Sequence, residues 1–255
     1  MAETDRVTVP RPSAALVLAR ETAEDNIAVF MVRRHARSDF VPDVFVFPGG
    51  SVMELDRAAE RAPDLCAPAP TGATALGAGF RVAALRECFE EAGVLLARRD
   101  GSPLVITVQE HARFSGYRLA LANGTLSMAE MVEREGLTLA TDALLHWSHW
   151  ITPEAWPKRF TTHFFLAAMP VEQQAAHDQL ETTDGVWVTP EEALARHHEG
   201  AFPLVFATLY QLQELTGLRT IAKAEMRFAG VPVRTMRPYI VSQDGEELIL
   251  LPDEP

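Results

Sequence analysis

A mixed β-sheet held between helical layers, an α/β/α sandwich of the α+β kind, is the fold this sequence predicts. Three observations predict it. Short apolar runs with alternating ends recur along the chain, as half-buried strands require. Between them lie stretches with helical spacing and recognisable caps. Nothing divides the chain: its 255 residues, 47% hydrophobic and 23% charged, contain no repeat, linker or low-complexity tract, so a single domain with additions is expected.

The elements follow in order. Residues 13–19 and 27–32 read as strands joined by a turn through Glu21, Thr22, Ala23, Glu24, Asp25 and Asn26, a polar cluster suited to a hairpin. Arg33, Arg34, His35 and Arg37 follow, the densest basic stretch of the chain. They read either as a strand-edge ion-pair cluster or as contacts for an anion. Residues 44–47 form a third strand that runs into Pro48-Gly49-Gly50. A strand feeding two glycines leaves backbone that a ligand can approach closely. Residues 80–97 are expected as one helix, buried through Val82, Leu85, Phe89 and Leu96 and stopped by Asp100-Gly101-Ser102-Pro103. Residues 109–123 and 128–135 read as helices, the second capped by Ser127. Strands are expected near 147–151, 163–168 and 186–189. Helices are expected at 190–198, with proline in the first turn, and at 203–215. Two apolar runs around Asp244-Gly245 read as a closing hairpin.

The chemistry is concentrated in Arg86-Glu87-Cys88-Phe89-Glu90-Glu91-Ala92-Gly93-Val94. Residues three and four apart share a helix face, so Glu87, Glu90 and Glu91 converge, and Arg86 can pair with Glu90. An acidic helix cluster is ordinarily a solvated face. Here, however, Arg86 is the sole basic residue from 82 to 97. Like charges gathered this way repel, and a hard divalent cation, Mg²⁺ or Mn²⁺, reverses the sign.

This run resembles the Nudix hydrolase signature: a glycine, five residues, an acid, seven residues, then Arg-Glu-aliphatic-x-Glu-Glu-x-Gly-aliphatic. Gly50 fits the leading glycine, and Cys88 stands in the aliphatic slot. Asp56 stands where the family has glutamate, one methylene shorter, and the spacer of residues 57–85 is 29 long instead of seven. The excess lies in 57–79, a stretch rich in Ala, Pro, Gly and Thr that reads as a loop. A long insertion here resembles the branch that looks like the mammalian peroxisomal coenzyme A diphosphatase. So do Trp150-Ile151-Thr152-Pro153, the segment 158–166 and the segment 187–194; the likeness extends over residues 12 to 215. That branch has an arginine and a glycine shortly before the glycine pair, where this chain has Asp39 and Asp43.

The resemblance implies a Nudix fold and metal-dependent hydrolysis of a diphosphate in a nucleoside diphosphate linked to another moiety, with coenzyme A or acyl-CoA as the lead substrate. ADP-ribose, NADH and sugar nucleotides are the alternatives, as is a non-catalytic nucleotide-binding or regulatory module. It implies Glu87, Glu90 and Glu91 as ligands of Mg²⁺ or Mn²⁺, completed by the Gly49 carbonyl, with Glu87, Glu90 and Arg86 as the catalytic group. Arg86 orients the glutamates. Gly93 is expected to let the helix pack closely beneath the loop. Gly50 and Arg34 are candidate substrate contacts, and Glu181 is a candidate distant base. The resemblance also allows a homodimer.

Composition narrows the classes. A net charge of −12 argues against nonspecific nucleic-acid binding, which rests on Lys and Arg neutralising phosphates. Cys66 and Cys88 make no disulfide framework, and Cys88 falls on the core side of its helix. No run reaches the length of a membrane span. The first five residues carry no apolar signal segment, and the last three are not a peroxisomal address, so a cytoplasmic location is expected. The expected organisation is one domain over 1–255, with a box insertion at about 57–79, a helical insertion at about 104–146 and a hairpin extension at about 230–255. The tryptophans Trp147, Trp150 and Trp156, with Phe160, Phe164 and Phe165, are expected to pack the core. His163 is expected to be structural, and His197-His198 lacks the spaced partners of a zinc site.

Overall fold

The structure is a computed structural model, and it describes residues 8–68, 76–178, 181–243 and 245–252. In chain order its strands and helices are β1 (Arg11–Glu21), β2 (Ile27–Arg34), β3 (Phe45–Val46), β4 (Gly49–Ser51), α1 (Glu54–Arg57), α2 (Ala78–Ala92), β5 (Ala97–Arg99), β6 (Ser102–Pro103), α3 (His111–Ala122), α4 (Met128–Glu135), β7 (Leu137–Leu139), β8 (Leu145–Ile151), β9 (Phe160–Ala168), β10 (Thr182–Val188), α5 (Pro190–His198), α6 (Phe206–Leu215), α7 (Ile221–Phe228), β11 (Thr235–Met236), β12 (Tyr239–Gln243) and β13 (Glu246–Leu250).

The main sheet runs β10-β2-β1-β9-β8-β11, with β3 added to β2 and β4 to β1. It is mixed: β1 pairs antiparallel with β2 and parallel with β9. The central strands are apolar at successive positions because both faces are covered. Ala14, Leu16 and Leu18 of β1 enter one core with Val82, Leu85, Cys88 and Phe89 of α2. Ala15, Val17 and Ala19 enter the other, with Ala193 of α5, Leu212 of α6 and Ala224 of α7. The predicted sandwich is therefore the observed one.

Several elements differ from expectation. The box helix ends at Ala92, with Gly93 in the left-handed region at φ 71° donating its N–H to the Phe89 carbonyl. The apolar run continues because Ala97 begins β5 of a small sheet, β6-β5-β7; periodicity alone does not separate a buried strand from a further helical turn. Gly93 is thus a helix cap, and a Cβ there would lie 2.9 Å from an Arg118 nitrogen. The box insertion is less of a loop than its composition predicts. Residues 54–65 form α1 and two 3₁₀ turns, and Cys66 bridges to Leu139. The Ala69-Pro70-Thr71-Gly72 segment lies outside the described residues, as do the first seven residues and the last three. Helix α7 and the small sheet were not predicted. Among the described residues no helix is long and apolar enough to cross a membrane.

Candidate active site

Helix α2 is the scaffold. Twelve of its fifteen residues are buried, so its charged side chains are held inside the fold rather than on a solvated face. Strand β4 pairs with β1, Ala15 with Gly49 and Ala14 with Gly50 in an antiparallel register, and lies against the C-terminal half of α2. At Gly49 a side chain would meet backbone, and at Gly50 it would displace a carboxylate. A Cβ on Gly49 would meet Ala15 at 2.6 Å, and one on Gly50 would lie 2.3 Å from Glu87 Oε1.

Arg86 is 4% exposed and organises the cluster. Its Nε and Nη2 donate to the two oxygens of Asp56 at 2.9 and 3.1 Å, a bidentate fork. Its Nη1 lies 2.9 Å from Glu87 Oε1 and 3.1 Å from Glu90 Oε2, and Nη2 also donates to the Ser51 carbonyl. The long spacer does not carry Asp56 away from the helix: α1 folds back, and Asp56, 2% exposed, also accepts the Met53 N–H. Its shorter side chain thus serves to hold Arg86. Glu91 accepts the Gly49 N–H at 2.9 Å. Gly49 thus meets the cluster through its N–H.

One guanidinium faces three carboxylates here, Asp56, Glu87 and Glu90, with Glu91 beyond them. Burial, then repulsion from Glu90 and Asp56, pushes Glu87 up to about 7 against the pull of Arg86. Glu91 is raised well above the usual range by burial and then by Glu87, with the Gly49 N–H opposing. Glu90 is raised for the same first reason, and its Oε1 is buried without a hydrogen-bond partner. Because Glu87 and Glu90 turn toward Arg86 and Glu91 toward Gly49, no three His, Cys, Asp or Glu side chains among the described residues form a closed metal-binding group. The convergence expected from helical spacing is therefore looser than that spacing suggests. The donor set still suits a hard cation: oxygen ligands, excess negative charge and one orphaned buried carboxylate oxygen.

Two cavities meet at Glu91, and the second also reaches Glu87 and Glu90. One, of ≈ 730 Å³, is walled by Arg11, Arg34, Arg37 and Lys158. The other, of ≈ 460 Å³, is walled by Trp150, Trp156, Phe164, Val205 and Phe206. Glu91, Glu181, Arg34, Phe40 and Phe160 line both. Arg34 and Glu181, far apart in sequence, are brought to the junction, and the charge of Glu181 adds a small upward push on Glu90 and Glu91. The basic stretch divides its labour. Arg33 pairs with Asp43 at 2.8 Å, while Arg34 and Arg37 face the cavity. The expected core role of the aromatics holds for Trp147 and Phe165, whereas Trp156 and Phe160 wall a cavity. His163 stacks on His149 with centroids 3.9 Å apart and bonds His146 at 2.9 Å. Residues the sequence reading missed are Arg11 and Lys158, which join the site only through the pairing of β1 with β9, and Arg118, whose Nε donates to the Glu90 carbonyl. Local sequence offers no signal for any of them.

The chain is similar to several known proteins. The chain is 25% identical over 255 residues to a Xenopus laevis protein named acyl-coenzyme A diphosphatase NUDT19, covering 86% of this chain and 64% of that one. It is 28% identical over 225 residues to the human protein of the same name, covering 72% of this chain and 59% of that one. The chain thus spans less than two thirds of the length of these relatives. The crystal structure of a NUDIX hydrolase from Alicyclobacillus acidocaldarius superposes with a TM-score of 0.78 at 26% identity, covering 89% of this chain and all of that one. The family model of the NUDT19 Nudix domain matches residues 68–215, and with more than half its length matched the chain belongs to that family of Nudix hydrolases.

Proposed function

We propose that this protein is a metal-dependent diphosphatase that cleaves the diphosphate of coenzyme A or an acyl-coenzyme A. The observation that carries the reading is the meeting of a cationic and an aromatic cavity at Glu91, with Glu87 and Glu90 lining the aromatic one. Coenzyme A has the same polarity: a phosphorylated nucleoside at one end, the diphosphate in the middle, and a long arm ending in a thiol or an apolar acyl group. The names of the relatives support the substrate class.

Glu87, Glu90 and Glu91 would hold Mg²⁺ or Mn²⁺. Bound there, the ion would offset charge on the phosphoryl oxygens and lower the pKa of a coordinated water. The chain's own residues do the positioning. Arg86, locked by Asp56, fixes Glu87 and Glu90. The Gly49 N–H fixes Glu91. Arg34 faces the junction and favours a diphosphate there. Glu181 faces the same junction and is positioned to take a proton from an attacking water. The aromatic walls exclude water from the arm and bury it.

The test is hydrolysis of coenzyme A, acetyl-CoA, ADP-ribose, NADH and UDP-glucose with and without Mg²⁺ or Mn²⁺. Adenosine 3′,5′-bisphosphate released from coenzyme A, at least 100-fold slower in Glu91→Gln, is the expected result. Turnover of another diphosphate alone would remove coenzyme A, and binding without turnover would remove catalysis. A second readout is thermal: either ion raises Tm, more at pH 8 than at pH 6 because it competes with protons on the raised carboxylates. Glu91→Gln abolishes the rise.

A further inference from the structure

We infer that the cationic cavity is a second phosphate subsite, which takes a phosphate monoester carried on the ribose of the nucleoside half, separately from the diphosphate. The inference rests on the coenzyme A reading for its biological substrate, but not for its binding chemistry.

The chain is acidic overall, at −12, yet Arg11, Arg34, Arg37, Lys158 and Arg159 all line this one cavity. Their convergence is built by the fold. Arg11 opens β1 and stands in register with Phe160 of β9, which places it beside Lys158. Arg34 closes β2, and Arg37 follows in the next loop. Arg159 is committed elsewhere: it is buried and donates to the carbonyls of Thr8 and Thr152. Lys158 has only a 3.3 Å pair with Asp39, and both groups are exposed, so the pair is weak and easily exchanged. Among the described residues Arg11 and Arg37 have no ion-pair partner. Arg34 Nε is buried with no acceptor, an arrangement a ligand oxygen would satisfy.

The cavity also has a place for a base. Phe40 and Phe160 both line it and meet edge-on at 4.9 Å, an aromatic wall that suits a purine face. A phosphate monoester carries about −1.5 to −2 charge at neutral pH and several strong acceptors, and guanidinium groups bind it in forked geometry. Three cations without strong partners exceed what a diphosphate already held at the glutamates needs. Coenzyme A supplies the extra group as its 3′-phosphate, which dephospho-coenzyme A lacks.

The experiment is calorimetric titration of the full chain with adenosine 3′,5′-bisphosphate, adenosine 5′-monophosphate and adenosine 5′-diphosphate. The bisphosphate should bind at least tenfold tighter than the monophosphate and tighter than the 5′-diphosphate. Arg37→Gln and Lys158→Gln should each lower bisphosphate affinity three- to tenfold and shift the monophosphate less than twofold. Both side chains are exposed, and melting curves check that the variants fold. Equal affinity for the 3′,5′-bisphosphate and the 5′-diphosphate, or variants that weaken all three ligands alike, would show general charge attraction and overturn the subsite. In the kinetic arm the kcat/KM ratio of coenzyme A to dephospho-coenzyme A should fall toward one in both variants, through KM. Equal cleavage of the two substrates by the unmodified protein overturns the subsite and leaves the diphosphatase intact. Selective bisphosphate binding without coenzyme A cleavage keeps the subsite and removes the diphosphatase reading.

Discussion

Gly49 and Gly50 are neighbours with separate tasks, and alanine at each should fail differently. A Cβ on Gly49 meets Ala15 Cα and the Ala14 carbonyl at 2.8 Å, which are backbone atoms of β1. The strand must shift, so Gly49→Ala should cost about 1–3 kcal/mol of stability, as overpacking does. A Cβ on Gly50 meets only the Glu87 carboxylate, the end of a flexible side chain. Gly50→Ala should keep its stability within about 0.5 kcal/mol and lose activity at least tenfold. Urea unfolding beside a rate measurement separates the two, and a Gly50 variant that unfolds as easily as the Gly49 variant would refute the division. Arg86 is a different case. Arg86→Met leaves Asp56 buried without its fork, and breaking a buried pair costs about 3–5 kcal/mol. Adding Asp56→Leu should restore a good part of it; a double variant no better than the single one would mean that the fork matters little.

At the scale of elements, the end of α2 tests the corrected helix boundary. Gly93 sits at φ 71°, where an L side chain costs about 1–2 kcal/mol, and the Arg118 guanidinium crowds the same space. Gly116, inside α3, has open space around it and no positive φ. Gly93→Ala should therefore lower stability by at least about 1 kcal/mol, and Gly116→Ala should raise it by about 0.4–1 kcal/mol. Chemical denaturation of both variants decides; the same sign for both would mean that α2 does not end at Gly93. The legibility of elements follows the same logic. Strands β1 and β2 were readable from their apolar runs, and α4 from Ser127, which accepts the Glu130 N–H in a reciprocal capping box. The continuation of α2 was misread because the residues after Gly93 are apolar for another reason, their place in the small sheet.

The whole molecule responds to pH through groups that pull in opposite directions. Burial holds His146 down at about 4 and His163 at about 3, helped by charge on neighbouring groups. Between those values and the unfolded value near 6.5, the unfolded chain binds more protons, so this contribution to stability is lost as pH falls below about 6.5. Glu87, raised to about 7, acts the other way: from about pH 4.3 to 7 the folded state holds its proton, and that contribution fades as pH rises. Their sum hides the histidines, but a difference does not. Relative to the unmodified protein, His163→Asn should lose less stability on going from pH 7 to 4.5. Tm against pH for both proteins is the measurement, and parallel curves would exclude the histidine stack as a source of acid sensitivity.

The box, the glycine pair, the strand pattern and the charge of the chain were determined by the sequence alone. Each is local: helical spacing places Glu87, Glu90 and Glu91 on one side, and glycines announce a backbone that must be approached closely. The tertiary structure decided which of those groups meet. Asp56 reaches Arg86 only because α1 folds back across the start of α2. Glu181 and Arg34 share a wall only because β10 pairs with β2. Arg11 and Lys158 face one cavity only because β1 runs parallel to β9. Sheet pairing joins residues some 150 positions apart, and no spacing rule reaches that far. What a residue is can be read from the chain, but what it faces depends on the register of strands that the chain does not write in one place.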